Sequence, residues 1–458
     1  ICAVSTAPGI GAIAVLRMSG TGCIALTDRI FESPSGKKLT GAKANTVHFG
    51  RILEEGCLLD EVLVTIFHAP HSFTGEESVE IACHGSLYIQ QRLLQLLVNQ
   101  GARLATPGEF TQRAFLNGKM DLSQAEAVAD LIASSSAASH RMALKQMKGG
   151  FSAELMKLRG ELLHITSLLE LELDFSEEDV EFADRSELRR IAGNIDELLT
   201  RLCRSFSLGN VIKNGVPVAI VGNTNVGKST LLNALLREDR AIVSDIAGTT
   251  RDVIEDTINL NGITFRFIDT AGIRATSDEV ENIGIERTFA KIGQASVVLL
   301  LTDLNRGVES FEEYYHQVKS RLTSDAKLII VLNKTDQVED LLTPQETIRL
   351  FTSGEEIIPI SARTGANLDR LIQELTRTVN LNTLNTSDVI VSNVRHYEAL
   401  RNARTAIERV NEGLESGLSG EFISQDIREC LHYLGEITGE ITTDEVLGNI
   451  FKNFCVGK

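Results

Sequence analysis

The chain has 458 residues, a formal net charge of −17 at pH 7, 43% apolar residues and 23% charged residues. This is the composition of an ordinary globular protein, long enough for about three domains. The acidic balance argues against a surface that binds nucleic acid strongly by itself, since phosphate binding needs dense Lys and Arg.

Export and membrane insertion are not expected. No apolar run is long enough to span a membrane, and the first residues lack the basic start and cleavage site of a signal peptide. The chain does not begin with Met, so we expect that a few residues are missing before Ile1. The seven scattered cysteines favour free thiols in a reducing compartment, and we expect a cytoplasmic protein.

Residues 1–118 are predicted to form a separate α+β domain. Alternating apolar residues predict strands at Ala12–Met18, Glu61–Phe67 and Ser78–Cys83, and a 3.6-residue period predicts a helix at Leu87–Asn99.

Two long segments are predicted to be rich in helices, because proline is absent from residues 108–216 and after residue 359. Helical periodicity predicts helices at Leu122–Ala138, Phe151–Leu173, Ser186–Leu208 and Val394–Leu414. We assign them to one helical domain in two parts, residues 119–211 and 381–458.

A phosphate-binding P-loop lies between these parts. Gly222-Asn-Thr-Asn-Val-Gly-Lys-Ser229 follows the strand-like Val216–Val221 and precedes the helix-like Thr230–Arg237. In that context the glycines let backbone N–H groups close around phosphate oxygens, and the helix start adds favourable dipole charge. Lys228 is predicted to reach the outer phosphates and Ser229 to bind Mg²⁺.

Two further motifs indicate the nucleotide. Asp269-Thr-Ala-Gly272 follows the apolar strand Ile263–Ile268, where a carboxylate holds Mg²⁺ through water and a glycine N–H senses a γ-phosphate. Asn333-Lys-Thr-Asp336 follows another apolar strand, Lys327–Leu332, and Asp336 is predicted to accept both donors on the pairing edge of guanine. Asn333 is predicted to hold the base and the loop.

A third motif follows the first two along the chain, and their order predicts that the nucleotide is GTP. Ser361-Ala-Arg363 follows the strand-like Ile357–Ile360 and is predicted to support the base through its main chain. Together these motifs place the GTPase at residues 212–380, with strands and helices alternating in a doubly wound α/β fold of the Ras-like class. Asn261-Gly262 predicts a type I′ hairpin between Ile254–Leu260 and Ile263–Ile268. We expect this domain to be inserted into the helical one.

The residue that orients the attacking water is not evident from spacing. Ile273 stands where many switch GTPases have a Gln, so a carboxylate within residues 274–287 is a candidate. Thr250 is favoured over Arg251 as the functional residue of its loop, as a Mg²⁺ ligand. The side-chain oxygen of Asn225 could hold a monovalent cation against the phosphates, or Asn225 could simply stabilise the loop.

Several stretches of the chain point to one family. They are the P-loop with Asn225, Val243-Ser-Asp-Ile-Ala-Gly-Thr-Thr-Arg-Asp252, the run from Asp269 to Arg287, Ser72-Phe-Thr-Gly-Glu76, Pro107-Gly-Glu-Phe110, Arg113-Ala-Phe-Leu-Asn117 and Phe454-Cys-Val-Gly-Lys458. Together they resemble the tRNA modification GTPase MnmE (TrmE) family. Departures are mild: Asn223-Thr224 where the family often has Arg-Pro, Ser86 for a Gly, and Val456 for Ile.

The resemblance implies a potassium-activated GTPase. By similarity, potassium ligands fall on Asn225, Ser244, Ile246 and Thr249, magnesium ligands on Ser229 and Thr250, and the water-orienting carboxylate on Glu281. The predicted GTP contacts are Asn225, Val226, Gly227, Lys228, Ser229, Thr230, Ser244, Asp245, Ile246, Ala247, Gly248, Thr249, Thr250, Asp269, Thr270, Ala271, Gly272, Asn333, Lys334, Asp336, Ser361, Ala362 and Arg363.

The resemblance also implies a folate-binding N-terminal domain that makes a homodimer. The one-carbon donor would be 5-formyltetrahydrofolate or another tetrahydrofolate derivative, contacted by Arg17, Glu80, Lys119 and Lys458. Without the family, Arg17 and Glu80 would be a strand-end ion pair and Lys119 a solvated loop charge. Cys455 is either a residue of the modification chemistry or an inert thiol.

The implied activity is modification of the wobble uridine of certain tRNAs. The family works with an FAD-dependent partner, MnmG, in a heterotetramer or larger assembly, and adds an aminomethyl or carboxymethylaminomethyl group at carbon 5. Because this chain is acidic, we expect the partner to supply most of the tRNA contact. Two alternatives stay open: a regulatory RNA- or ribosome-associated GTPase switch, and a folate-dependent transferase whose GTPase serves assembly.

Overall fold

The structure is a computed structural model that describes residues 1–174, 185–239, 256–268, 292–303, 308–323, 326–338, 346, 348–349, 352, 354–378, 389–452 and 454–457. The chain forms two compact units. The first comprises Ile1–Ala133, Ala143–Thr200 and Glu398–Lys458, and the second comprises Ser134–Met142 and Arg201–Tyr397. The predicted domain boundaries at residues 118, 211 and 380 do not coincide with these limits and stay predictions.

The first unit begins with an antiparallel sheet of six strands in the order β1-β2-β6-β5-β4-β3. The strands are β1 Cys2–Val4, β2 Ile13–Ser19, β3 Phe31–Glu32, β4 Thr46–Glu54, β5 Cys57–Phe67 and β6 Ser78–His84. The helices that accompany them are α1 Cys23–Asp28, α2 Leu87–Asn99 and α3 Glu109–Leu116.

The core of this sheet lies on one face. Alternate residues such as Leu16, Val64 and Ile81 are fully buried there, together with Leu93 and Leu97 of α2. Because side chains alternate across a strand, the residues between them lie on the opposite face. The sequence predicted the α2 bounds correctly and β2, β5 and β6 to within a few residues, but it missed β1, β3 and β4.

The rest of the first unit is helical. Its helices are α4 Leu122–Ala133, α5 Ala137–Met147, α6 Gly150–Asp174, α7 Arg185–Asn214, α11 Val394–Ser416, α12 Gly420–Thr438 and α13 Asp444–Phe451, of which α5, α7 and α11 extend into the second unit. Helices α6 and α12 pack together, and the Arg159 guanidinium donates to the Leu431 carbonyl at 3.1 Å.

The sequence predicted one helix at Leu122–Ala138, and this prediction was wrong because two helices cover the region. Helix α4 ends at Ala133, and α5 starts at Ala137. Ser136 caps the start of α5, since its Oγ accepts from the Ser139 N–H at 3.1 Å. Serine side chains compete with helical backbone hydrogen bonds and favour helix starts, so the run of serines from 134 to 136 breaks the periodic pattern.

The second unit contains a six-stranded sheet in the order β12-β11-β10-β7-β9-β8. Its strands are β7 Val216–Gly222, β8 Asp256–Leu260, β9 Ile263–Ile268, β10 Val297–Asp303, β11 Lys327–Asn333 and β12 Glu356–Pro359. All pairs are parallel except β8 with β9.

Helices cover both faces of this sheet. Helices α8 Lys228–Asp239 and α10 Leu368–Thr378 bury Leu231 and Leu371 against one face, and α9 Val308–Lys319 buries Phe311 against the other. The sheet is therefore doubly wound. The predicted type I′ turn is confirmed, because Leu260 pairs with Ile263 and both Asn261 (φ 52°) and Gly262 (φ 81°) are left-handed.

Residues 205–206 and 391–397, which flank the segment that carries this sheet, lie side by side. The Val391 N–H donates to Ser205 Oγ at 3.0 Å, and the rings of Phe206 and Tyr397 stack with centroids 4.4 Å apart. Close ends are the geometry that lets a domain be inserted into another.

Candidate functional sites

The loop between β7 and α8 has the shape of a phosphate-binding loop. Gly222, Asn225 and Gly227 have φ values of 154°, 60° and 98°. A Cβ atom on Gly222 would collide with the Leu301 carbonyl oxygen, and one on Gly227 would collide with the Asn333 amide nitrogen. Glycine is therefore required at both positions by close approach as well as by backbone conformation.

Lys228 lies over this loop at the start of α8. Its Nζ donates to the carbonyl oxygens of Gly222 at 2.6 Å and Asn223 at 3.0 Å. The ammonium group is thus held at the loop from which a P-loop lysine reaches phosphate oxygens. Ser229 follows it and is half-buried, whereas Thr230 is exposed.

Asn333 links two loops at the carboxyl edge of the sheet. It is buried at the end of β11. Its Nδ2 donates to the Val226 carbonyl at 2.7 Å, and its Oδ1 accepts from the Ala362 N–H at 3.0 Å. A single amide therefore fixes the P-loop relative to the loop that follows β12.

Asp336 presents an exposed carboxylate at the same edge. The Ser361 hydroxyl donates to Asp336 Oδ1 at 2.6 Å, and Ser361 Oγ accepts from the Thr364 N–H at 3.2 Å. The sequence predicted a main-chain role for Ser361 and missed this side-chain support. Lys334 Nζ is paired with Asp303 Oδ2 at 2.5 Å, which fixes the loop from its other side.

Arg17 and Glu80 lie directly opposite each other on β2 and β6. Arg17 donates to Glu80 Oε1 from Nε at 3.0 Å and from Nη2 at 2.7 Å. The guanidinium carbon lies 5.5 Å from the Phe73 ring centroid and 5.9 Å from that of Phe110, a cation–π distance. The ion pair that the sequence suggested is therefore present, two residues inside the end of β2 and the start of β6.

Lys119 reaches the loop after β5. Its exposed Nζ donates to the Pro70 carbonyl at 3.0 Å, and Asn117 Nδ2 donates to the Thr74 carbonyl at 2.7 Å. The same loop carries Phe73, so the structure connects Lys119 to the surroundings of Arg17 through residues 70–74.

A partly buried ionic network, which was not predicted from the sequence, supports this loop and α3. Arg113 donates to Glu109 Oε1 at 3.0 Å and to Glu76 Oε2 at 3.1 Å. The Ser19 hydroxyl donates to Glu76 Oε2 at 2.7 Å. Burial alone would raise the pKa of Glu109, but hydrogen bonds from Arg103, the Thr106 N–H and Arg113 lower that pKa to about 2.

A sequence signal for part of this network existed. Thr106 and Glu109 have the T-x-x-E spacing of a capping box, and the Thr106 N–H donates to Glu109 Oε2 at 3.0 Å, although the residue that precedes α3 is Gly108. The arginine partners were not predictable from spacing.

Comparison with known proteins identifies the family. The family model described as "MnmE helical domain" matches residues 122–455, and the one described as "GTP-binding protein TrmE N-terminus" matches residues 1–119. The chain is 59% identical over 461 residues to the tRNA modification GTPase MnmE of Parabacteroides distasonis, covering 100% of this chain and 99% of that protein. It is 58% identical over 463 residues to the tRNA modification GTPase MnmE of Bacteroides fragilis, with the same coverage of each chain. This chain belongs to the MnmE family of tRNA modification GTPases.

The likeness to solved structures is weak. A GTP-binding protein from Sulfolobus solfataricus in complex with GDP is 18% identical, with a match that covers 50% of this chain and 68% of that one and has a TM-score of 0.29. Among the described helices of this MnmE-family chain, none is long and apolar enough to cross a membrane.

Part of the predicted site lies outside the described residues. These positions are Ser244, Asp245, Ile246, Ala247, Gly248, Thr249, Thr250, Asp269, Thr270, Ala271, Gly272, Glu281 and Lys458. Their predicted roles stay predictions.

The structure places Cys455 on the N-terminal part of this MnmE-family chain. The seven cysteines, all of which the structure describes, form no disulfide, and Cys455 is exposed. Its carbonyl oxygen accepts from the Gly108 N–H at 3.3 Å. Gly108 immediately precedes α3, whose Phe110 lies against Arg17, so the tail and the Arg17–Glu80 pair share one support.

We expect Glu109→Gln to lower the free energy of local opening of α3 by about 2 kcal/mol at pH 7, because charge-assisted hydrogen bonds from two arginines are lost. The folded-state pKa of Glu109 lies below its ordinary value, so its contribution is present above about pH 4.3 and disappears as the pH falls toward 2. Hydrogen–deuterium exchange of α3 at pH 7 and pH 3, corrected for intrinsic rates, measures the difference.

The matched control is Glu187→Gln, which removes an exposed ion pair with Arg190 on α7. Such a pair contributes less than about 1 kcal/mol. Equal losses in the two variants, or a Glu109→Gln effect that is the same at both pH values, would contradict the role of the partly buried network.

Proposed function

We propose that this chain binds and hydrolyses GTP as part of tRNA modification. The observation that carries the proposal is the full-length match to tRNA modification GTPases, together with the nucleotide edge formed by the P-loop, Asn333 and Asp336. Ser229 at the start of α8, with Thr250, would hold Mg²⁺. That ion neutralises charge on the phosphate oxygens when bound.

Potassium activation is the next part of the proposal. We place the ion on Asn225, Ser244, Ile246 and Thr249, and the water-orienting carboxylate on Glu281. The left-handed φ of 60° and the exposure of Asn225 support this role, because they leave a side-chain amide oxygen at the turn of the loop. A cation there would supply positive charge as charge develops on the phosphates.

We propose that the N-terminal part binds a tetrahydrofolate one-carbon donor such as 5-formyltetrahydrofolate. Glu80 offers acceptors for the amide-like donors of a pterin ring, and Lys119 and Lys458 suit the carboxylates of a glutamate tail. Arg17 holds Glu80 in place through two hydrogen bonds. We further propose that Cys455 takes part in the chemistry at this site.

We propose a homodimer formed through the N-terminal sheet. Val47 and Phe49 of β4 and Leu63 of β5 are 59%, 51% and 48% exposed, and Phe49 pairs directly with Leu63. An apolar group of this kind on the open face of a sheet favours a protein partner. In this proposal a second copy covers it.

The remaining partners are an FAD-dependent MnmG-like subunit, in a heterotetramer or larger assembly, and tRNA. The net charge of −17 supports the view that the flavoprotein supplies most of the tRNA contact. A cytoplasmic location fits seven cysteines that form no disulfide among the described residues, and it fits a tRNA substrate.

The test is reconstitution with the flavoprotein, GTP, potassium, 5-formyltetrahydrofolate, an amine donor and unmodified tRNA. We expect mass spectrometry of nucleosides to show an aminomethyl or carboxymethylaminomethyl group on the wobble uridine, at a yield that falls at least about ten-fold without GTP. Modification that is equal without GTP would refute a GTPase-driven reaction, and no modification with an active flavoprotein would refute the assignment.

A further inference from the structure

The end of the chain is anchored by an apolar contact. Phe451, the last residue of α13, is buried against Leu122, Ala125 and Leu447. The Phe454 ring lies 5.1 Å from the Phe451 ring, and the Phe454 N–H donates to the Phe451 carbonyl at 3.0 Å. The ring contact and the hydrogen bond therefore fix the direction in which the chain leaves α13.

Gly108 receives the tail on one side of Cys455. It has a φ of 68°, and a Cβ atom there would lie 2.7 Å from the Phe451 carbonyl oxygen and 2.9 Å from Phe454 Cβ. These distances are shorter than real Cβ contacts, so the tail approaches this closely only because residue 108 lacks a side chain. The Gly108 N–H then donates to the Cys455 carbonyl.

Gly457 holds the tail on the other side. It has a φ of 92°, and a Cβ atom there would collide with the Val4 carbonyl oxygen. The Ser5 hydroxyl donates to the Gly457 carbonyl at 3.2 Å, and the Ser5 N–H donates to the Val15 carbonyl of β2 at 2.8 Å. The second anchor is thus tied to the sheet that carries Arg17.

The contacts at Gly108 and Gly457 hold the main chain on both sides of the exposed Cys455. The Gly108 N–H holds residue 455 and the Ser5 hydroxyl holds residue 457, with close contacts at both glycines, whereas Cys455 itself is exposed. Phe110, two residues after Gly108, is fully buried and lies against the Arg17 guanidinium. The same turn therefore supports both the tail and the proposed folate contact.

From this geometry we infer that Gly108, Ser5 and Gly457 are positioning residues that hold the C-terminal tail, and with it the Cys455 thiol, at the proposed folate site. The inference rests on the proposed folate binding. In this arrangement the affinity for folate depends on Gly108 and on the hydroxyl group of Ser5, although neither residue needs to touch the ligand.

The test uses the full-length chain and two measurements. The first is the dissociation constant of 5-formyltetrahydrofolate. The second is the mobility of a nitroxide on Cys455 in a Cys57→Ser, Cys203→Ser background, where the other four cysteines are buried. We expect Gly108→Ala to shorten the nitroxide correlation time at least about three-fold and to weaken folate binding about ten-fold, because a released tail must be ordered again on binding.

Matched variants separate positioning from general damage. Gly36→Ala imposes the same left-handed strain, since Gly36 has a φ of 69° with open space around it, and it is expected to change neither readout. Ser5→Ala is expected to act like Gly108→Ala, and Ser5→Thr to retain wild-type behaviour through its hydroxyl. GTP hydrolysis is expected to be unchanged in all four.

The outcomes distinguish this inference from the proposed function. If the wild-type chain does not bind 5-formyltetrahydrofolate, the proposed folate site is wrong. If the wild type binds but Gly108→Ala and Ser5→Ala bind equally well, or if the nitroxide stays equally immobile in both, the positioning role is wrong and the folate site stands.

Discussion

Replacing Asp336 with asparagine is expected to change the preferred base from guanine to xanthine. The Asp336 carboxylate is exposed, with Oδ1 held by the Ser361 hydroxyl at 2.6 Å. A carboxylate accepts two hydrogen bonds from the N1–H and the 2-amino group of guanine, whereas asparagine offers one donor and one acceptor. Xanthine carries an oxygen where guanine carries the amino group, so it matches the asparagine.

The expected size is at least about a 100-fold loss of GTP affinity, since a charge-assisted bidentate contact is replaced by a mismatched one. Titration of the variant with fluorescent guanine and xanthine nucleotides measures both affinities. Asp369→Asn is the matched control, an exposed carboxylate at the start of α10 in the same unit. Retained guanine preference in Asp336→Asn would show that Asp336 does not read the base.

Potassium is expected to accelerate GTP hydrolysis at least about ten-fold over sodium at equal ionic strength, and Asn225→Ala is expected to abolish the difference while sparing nucleotide binding. An ion held by the Asn225 oxygen would stabilise the charge that develops on the phosphates, and removing one such contact costs about 100-fold in favourable cases.

Glu281→Ala is also expected to spare nucleotide binding and abolish fast hydrolysis. Single-turnover rates in the two salts measure each effect.

The left-handed backbone at Asn225 calls for controls, because alanine is strained at a φ of 60°. Asn225→Gly removes the oxygen without strain and is expected to behave like Asn225→Ala. Asn225→Asp keeps an oxygen and should retain part of the potassium effect. Asn261→Ala imposes similar strain in the β8–β9 turn, at a φ of 52°, and should leave potassium dependence intact. Equal rates in both salts for the wild-type chain would refute the potassium site.

The sequence by itself determined the features that depend on neighbouring residues. The strand–loop–helix around Lys228, the hairpin at Asn261-Gly262 and the bounds of α2 were all predicted, because local hydrogen bonds, glycine conformations and apolar periods encode them. Strand β4 was missed because Gly50 interrupts its pattern. In the structure the Phe31 ring occupies the space beside that glycine, a contact that only the paired strands create.

Tertiary structure alone decided which distant residues meet. Asn333 connects Val226 to Ala362, Arg17 faces Glu80 across two strands, and Gly108 and Ser5 receive the tail at Cys455 and Gly457. Each contact depends on strand register or on the close approach of segments far apart in the chain. Register follows from the whole buried face of a sheet rather than from any short stretch, so these partners could not be read from spacing.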